Sequence, residues 1–102
     1  MRWNHVGIKT SNLEKSLHFY CDVLGLRKTD SVTILNKHYQ FVGNDSISIE
    51  IEEGNPDDTR AVPRAMTGLY HMALTVDDIE AIAAKLRDNS VNFIIPPVQL
   101  RP

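Results

Sequence analysis

Internal repetition constrains this chain more than any other feature of its sequence. With His5 placed over His71 and no gaps introduced, Val6 meets Met72, Ile8 meets Leu74, Leu13 meets Ile79 and Glu14 meets Glu80. Leu17 then meets Ala83, and Tyr20 meets Leu86. Amphipathic helices resemble one another by chance, but a shared histidine, glutamate and strand-to-helix spacing together point to a duplicated strand-helix unit. Such a unit cannot bury its apolar face alone, so two copies imply packing of strands under helices.

Each copy can be read from its own pattern. From Trp3 to Lys9 the residues alternate, with Val6 and Ile8 on one side and His5, Gly7 and Lys9 on the other. Ser11 and Glu14 have capping-box spacing, and Leu13, Leu17, Tyr20 and Leu24 form the stripe of a helix that Gly25 ends. Three strands are predicted next, near 26–30, 38–42 and 47–52, with Asn36-Lys37 and Gly43-Asn44-Asp45 as turns. Residues 54–68 read as a connector, since Asn55-Pro56-Asp57-Asp58, Pro63 and two glycines leave little periodicity. The second copy is predicted to run as a strand over 69–76, a helix opened by Asp77 and Glu80 with a face of Ile79, Ile82, Ala83 and Leu86, and a strand over 91–95. The expected organisation is therefore a first βαβββ module over 1–53, a connector over 54–68 and a partial second module over 69–102.

Parity identifies the candidate chemistry. His71 shares a face with Ala73 and Thr75, opposite Met72, Leu74 and Val76. Glu50 lies with Ser48 and Glu52, opposite Ile47, Ile49 and Ile51. The apolar faces suit burial under the helices, and the other faces would converge on one polar surface. Two imidazoles and a carboxylate suit a divalent transition metal such as zinc, nickel, cobalt or manganese, with a coordination position left for substrate. A single strand histidine is usually an ordinary core or surface residue; two at equivalent positions of a repeat carry more weight. Parity alone does not choose between Glu50 and Glu52.

The remaining candidates read plainly. His18 is expected to face solvent, His38 opens a strand without a repeat counterpart, and Cys21 packs beside the helix stripe. Arg60 and Arg64 could grip an anionic substrate or simply solvate the connector. Eleven basic residues against thirteen acidic ones, net charge −2, argue against a nucleic-acid partner. No apolar run approaches a membrane span, and one cysteine among 102 residues fits a cytoplasmic setting.

Several segments resemble a known family. Asn4-His5-Val6-Gly7-Ile8, Asn12-Leu13-Glu14-Lys15-Ser16 and Phe19-Tyr20 through Val23-Leu24-Gly25-Leu26 resemble the opening of the vicinal oxygen chelate superfamily. That group includes glyoxalase I, methylmalonyl-CoA epimerases, extradiol dioxygenases, fosfomycin-resistance enzymes and bleomycin-binding proteins. Residues 70–78 resemble the start of its second module. The resemblance implies an α+β fold of paired βαβββ modules, with a cup-shaped mixed sheet, helices outside and a metal within the cup. It implies His5, Glu50 and His71 as metal ligands and so favours Glu50 over Glu52. Glutamate at that position follows the glyoxalase I pattern, with Glu50 also the catalytic proton carrier through an enediolate. Lys9 falls where glyoxalase I tends to have an arginine that holds glutathione; it keeps the charge but loses the bidentate fork. Against the family pattern the second module is expected to lack its last two strands and the glutamate they carry. The implied function is a metal-dependent lyase or isomerase acting on a small α-carbonyl compound or its thiol adduct, as a homodimer, with Lys9, Arg60 and Arg64 toward the substrate. A non-catalytic, bleomycin-resistance-like binding module and a coenzyme A thioester epimerase are the alternatives.

Overall fold

Among the described residues these patterns give four strands, two α-helices and one π-helical segment. A computed structural model of the chain describes residues 1–59, 67–69 and 71–97. The chain divides into two compact units, Met1–Val62 and Pro63–Pro102.

In the first unit the order is β1 (Val6–Thr10), α1 (Leu13–Leu17), β2 (Arg27–Ile34), β3 (Lys37–Gly43) and β4 (Ser48–Glu53). The sheet order is β1-β4-β3-β2, with β1 parallel to β4 and the other pairs antiparallel. A parallel pair needs a crossover, which the helix and the β2–β3 hairpin provide. Together these form one complete βαβββ module, an α+β arrangement with a mixed sheet. Register then fixes the two faces. Val6 opposes Ile49, Ile8 opposes Ile51, and Val42 and Gln40 continue the same rows. Ile49, Ile51 and Val42 are fully buried, and Leu13, Leu17, Tyr20 and Cys21 pack against their cluster.

Several local expectations shift. Asn12, not Ser11, caps α1, its side-chain oxygen accepting from the Lys15 amide at 3.0 Å. Asn12 lies three residues before that amide, the spacing at which a short side chain reaches back. After Leu17 the helix widens to π geometry over His18–Val23, with the Leu24 amide bonded to the Phe19 carbonyl at 2.9 Å. The extra residue per turn rotates Val23 and Leu26 into the buried set, while Leu24, expected on the stripe, is only half-buried. Gly25 ends the segment as expected, at φ 81°. Strand β2 runs further than its pattern suggested, because pairing to β3 holds Ser31–Ile34 with little burial. Gln40, the buried polar residue of the sheet, donates to the Asp30 carbonyl at 2.8 Å beside the β2 bulge.

In the second unit α2 spans Ile79–Asp88, with Ala83 buried and Ile82 and Leu86 half-buried. Its cap is Asp78, one residue later than expected, accepting from the Ala81 amide at 3.0 Å. Its C-terminus closes with paired bonds: the Ser90 amide to the Arg87 carbonyl and the Val91 amide to the Leu86 carbonyl, both 3.0 Å. The described residues of 69–76 and 91–95 are not strands. Alternation alone does not make a strand, since a strand also needs a neighbouring ladder to pair with.

Candidate functional site

The polar face of the first unit's sheet opposes the face that carries the core. Register sets Gly7 against Glu50, Lys9 against Glu52, Phe41 against Glu50 and Tyr39 against Glu52. These residues therefore share one surface, as parity implied for Glu50 and Glu52. His5 immediately precedes β1 and brings Nε2 to 3.8 Å from Glu50 Oε2. Both side chains are about one-third exposed, so they remain open to a ligand. The Phe41 ring meets the His5 imidazole edge-on, with centroids 5.3 Å apart, and Asn4 Oδ1 lies 2.6 Å from His5 Nδ1. That contact leaves Nε2 as the nitrogen facing the carboxylate. Gly7 lies beneath the carboxylate, where a Cβ would meet Oε1 at 3.6 Å, an ordinary contact.

A second cluster occupies the far end of the same face. Lys9 Nζ lies 3.6 Å from Glu52 Oε2 and 3.6 Å from Asp58 Oδ2. Asp58 also accepts from the Asn55 amide at 2.8 Å, and the Gly54 amide donates to the Thr10 carbonyl at 2.7 Å. The bond from Asn55 is the main cause, with Lys9 assisting, that holds the Asp58 carboxyl below its usual range. Gly54 is required there, since a Cβ would stand 2.6 Å from Asp58 Oδ2 and 2.9 Å from the Thr10 carbonyl oxygen. Desolvation first, and hydrogen bonding to Glu52 second, push the Tyr39 phenol up.

Of the residues singled out from sequence, the structure brings His5 and Glu50 together and places Lys9 on the same face. His71 belongs to the second unit, in the irregular segment before α2. Arg60 and Arg64 lie outside the described residues. Among the described residues of the first unit, no third His, Cys, Asp or Glu joins His5 and Glu50 in a cluster able to hold an ion. The pair itself suits two positions of a first-row divalent ion. Donors about 2.0–2.2 Å from such an ion stand roughly 3–4 Å apart at ordinary coordination angles. Phe41, Tyr39 and Asp58 were not singled out from sequence; parity with Val42 and Gln40 marks the first two, but nothing local marks Asp58. Cys21 packs as expected, and burial, the main influence, pushes its thiol up, away from a nucleophile's range. His18 is exposed as expected and lies 3.0 Å from Asp22.

The model of the Glyoxalase/Bleomycin resistance protein/Dioxygenase superfamily matches residues 2–99. This chain belongs to that superfamily. Among its relatives, a probable lactoylglutathione lyase of Synechocystis sp. is 34% identical over 100 residues, covering 91% of this chain and 73% of that protein. A catechol-2,3-dioxygenase of Bacillus subtilis is 32% identical over 88 residues, covering 80% of this chain. A mitochondrial methylmalonyl-CoA epimerase of Dictyostelium discoideum is 29% identical over 99 residues, covering 91% of this chain. The chain spans only 29% of the dioxygenase and 60% of the epimerase. In three dimensions the superfamily fold recurs. A Leishmania major glyoxalase I described as trypanothione-dependent gives a TM-score of 0.74 at 21% identity, over 88% of this chain and 67% of that one. The protein UcmS2 gives 0.71 at 24% identity, over all of this chain and 85% of that one. At those identities the likeness establishes the fold alone.

Proposed function

We propose that the chain is a metal-dependent lyase or isomerase of the glyoxalase I type, acting on a small α-carbonyl compound or its thiol adduct. The observation that carries this reading is the approach of His5 Nε2 to Glu50 Oε2, 3.8 Å, on the open face of the sheet. His71, the repeat counterpart of His5, would complete the ligand set. A zinc, nickel, cobalt or manganese ion held there would polarise the substrate carbonyl and acidify the adjacent C–H bond. Glu50 is the proton carrier: its carboxylate takes the proton from the carbon beside the carbonyl and returns it to the neighbouring carbon. Phe41 packs edge-on against His5 and limits its ring rotation. Lys9, Arg60 and Arg64 would hold an anionic part of the substrate. Lys9 already stands 3.6 Å from each of two carboxylates, so an anion reaches it by displacing one of them.

We assign residues 1–53 to the first module and 69–102 to a partial second module, joined through 54–68, and expect a cytoplasmic homodimer. Among the described residues no helix is long and apolar enough to cross a membrane.

The test is turnover of an α-ketoaldehyde hemithioacetal by metal-loaded wild type and Glu50→Gln. Loss of a positioned proton carrier should lower the rate about 100-fold or more. Full activity in Glu50→Gln removes that residue from the mechanism. Tight ligand retention with no turnover in either protein points instead to a binding module.

A further inference from the structure

On the opposite face of the sheet from His5 and Glu50, three side chains from three neighbouring strands form a line. Ser31 Oγ of β2 lies 2.9 Å from His38 Nε2, and His38 Nδ1 of β3 lies 3.5 Å from Glu53 Oε1 at the end of β4. Register explains the alignment. Ser31 pairs with Gln40 and Thr33 with His38, so Ser31 sits diagonally across from the imidazole on its own face. Tyr39 pairs with Glu52, which carries the next residue of β4 alongside His38. One ring nitrogen thus faces a hydroxyl and the other a carboxylate. With the proton on Nδ1, toward Glu53, Nε2 is free to accept the Ser31 proton.

We propose that Ser31, His38 and Glu53 form a second, metal-independent site that acts on small activated carboxylic esters, with Ser31 as nucleophile and His38 as general base. The arrangement is that of nucleophile, base and orienting carboxylate, recognised by geometry and not by sequence order. The longer Nδ1–carboxylate distance is usual before substrate binds, when such contacts are often loose. Ser31 and Glu53 are exposed and His38 is half-buried, leaving the hydroxyl within reach of an ester. Strand β2 is the end strand of the sheet among the described residues. The Ser31 amide donates to Asp30 Oδ1 at 2.9 Å, so a developing oxyanion reaches it by displacing that carboxylate. Ser31 Oγ attacks the acyl carbon as its proton passes to His38 Nε2, and the ester C–O bond breaks with the proton leaving on the departing alcohol. Water then gives His38 a proton as its oxygen attacks the acyl group, and Ser31 Oγ departs with that proton, releasing the acid. Glu53 touches no reacting atom and serves as a positioning residue for the imidazole.

The experiment uses full-length protein with p-nitrophenyl acetate, in the presence and absence of a chelator. It follows nitrophenolate release and maps the acetyl group by peptide mass spectrometry. The expected result is acetyl on Ser31, unaffected by the chelator, and absent from Ser31→Ala. His38→Ala should slow acylation about 100-fold, and Glu53→Gln should shift its pH profile while Glu53→Asp restores it. Acetyl found only on other nucleophiles such as Cys21, or equal acylation of Ser31 in His38→Ala, overturns the proposal. Circular dichroism of each variant separates unfolding from loss of chemistry. Because the chelator silences only the metal-dependent reaction, either site can fail without the other.

Discussion

Replacing Gly43 by alanine should break the device that aligns β3 with β4 and so places Glu50 opposite Phe41. An added Cβ at Gly43 would stand 2.1 Å from the Ile47 carbonyl oxygen, 3.1 Å from its carbon and 3.2 Å from Ser48 Cα. All three obstacles are backbone, so no rotamer change relieves them; the turn must open. Opening it costs the Asn44 amide bond to the Ile47 carbonyl at 3.0 Å. It also disturbs the bonds Asn44 Oδ1 accepts from the Ser46 and Ile47 amides, at 2.8 and 2.9 Å. At roughly 0.5–1.5 kcal/mol net for each, three such bonds amount to about 1.5–4.5 kcal/mol. Gly25→Ala is the control. Gly25 holds φ 81° but has nothing within 4 Å of an added Cβ, so only the left-handed backbone resists the change, about 1–2 kcal/mol. Urea unfolding followed by far-ultraviolet circular dichroism should place Gly43→Ala well below Gly25→Ala, with hydrogen exchange of the β3–β4 amides accelerated only in the former. Equal stability of the two variants, or unchanged exchange in Gly43→Ala, refutes the steric argument.

Two other outcomes follow from local chemistry. The β2–β3 hairpin turns on Leu35 and Asn36, at φ 51° and 66°, and Leu35 is almost fully exposed. Leu35→Asn with Asn36→Gly suits that geometry better and should raise stability by up to about 1 kcal/mol in thermal unfolding. Asp58 has a folded pKa below its unfolded value. Its stabilisation is therefore present above the unfolded value and is lost as pH falls through the lower, folded one. Asp58→Asn should flatten the stability profile across that acid window, as read by urea midpoints at stepped pH, and an unchanged profile would show that Lys9 and Asn55 do not hold the carboxylate.

Much of the first module was legible because its strands alternate cleanly. Ile47, Ile49 and Ile51 against Ser48, Glu50 and Glu52 fixed both faces of β4, and Gly25 marked the helix end. Two kinds of feature were not legible. The π-helical widening changes the period of the helix without changing its composition, so Val23 and Leu26 were not expected in the core. Strand β2 is an edge with little burial, so its outer half carries no alternation to read. His5 was legible from the repeat and the Glu50/Glu52 face from parity, with the family resemblance choosing Glu50, but the neighbours Phe41 and Asp58 depend on cross-strand register and on a loop folding back to Lys9. Ser31 and His38 are likewise seven residues apart, and only the hairpin register brings them into contact. In the second unit the repeat identified the helix, but the apolar alternation of residues 71–76 did not mark a strand there.

The most direct test of the central claim is elemental metal analysis of purified, dialysed protein beside its His5→Ala/His71→Ala double variant. The expected result is near-stoichiometric zinc, nickel, cobalt or manganese in the wild type and its loss in the variant. No bound metal in either protein, even after reloading, would contradict the metal centre while leaving the fold and the superfamily membership in place.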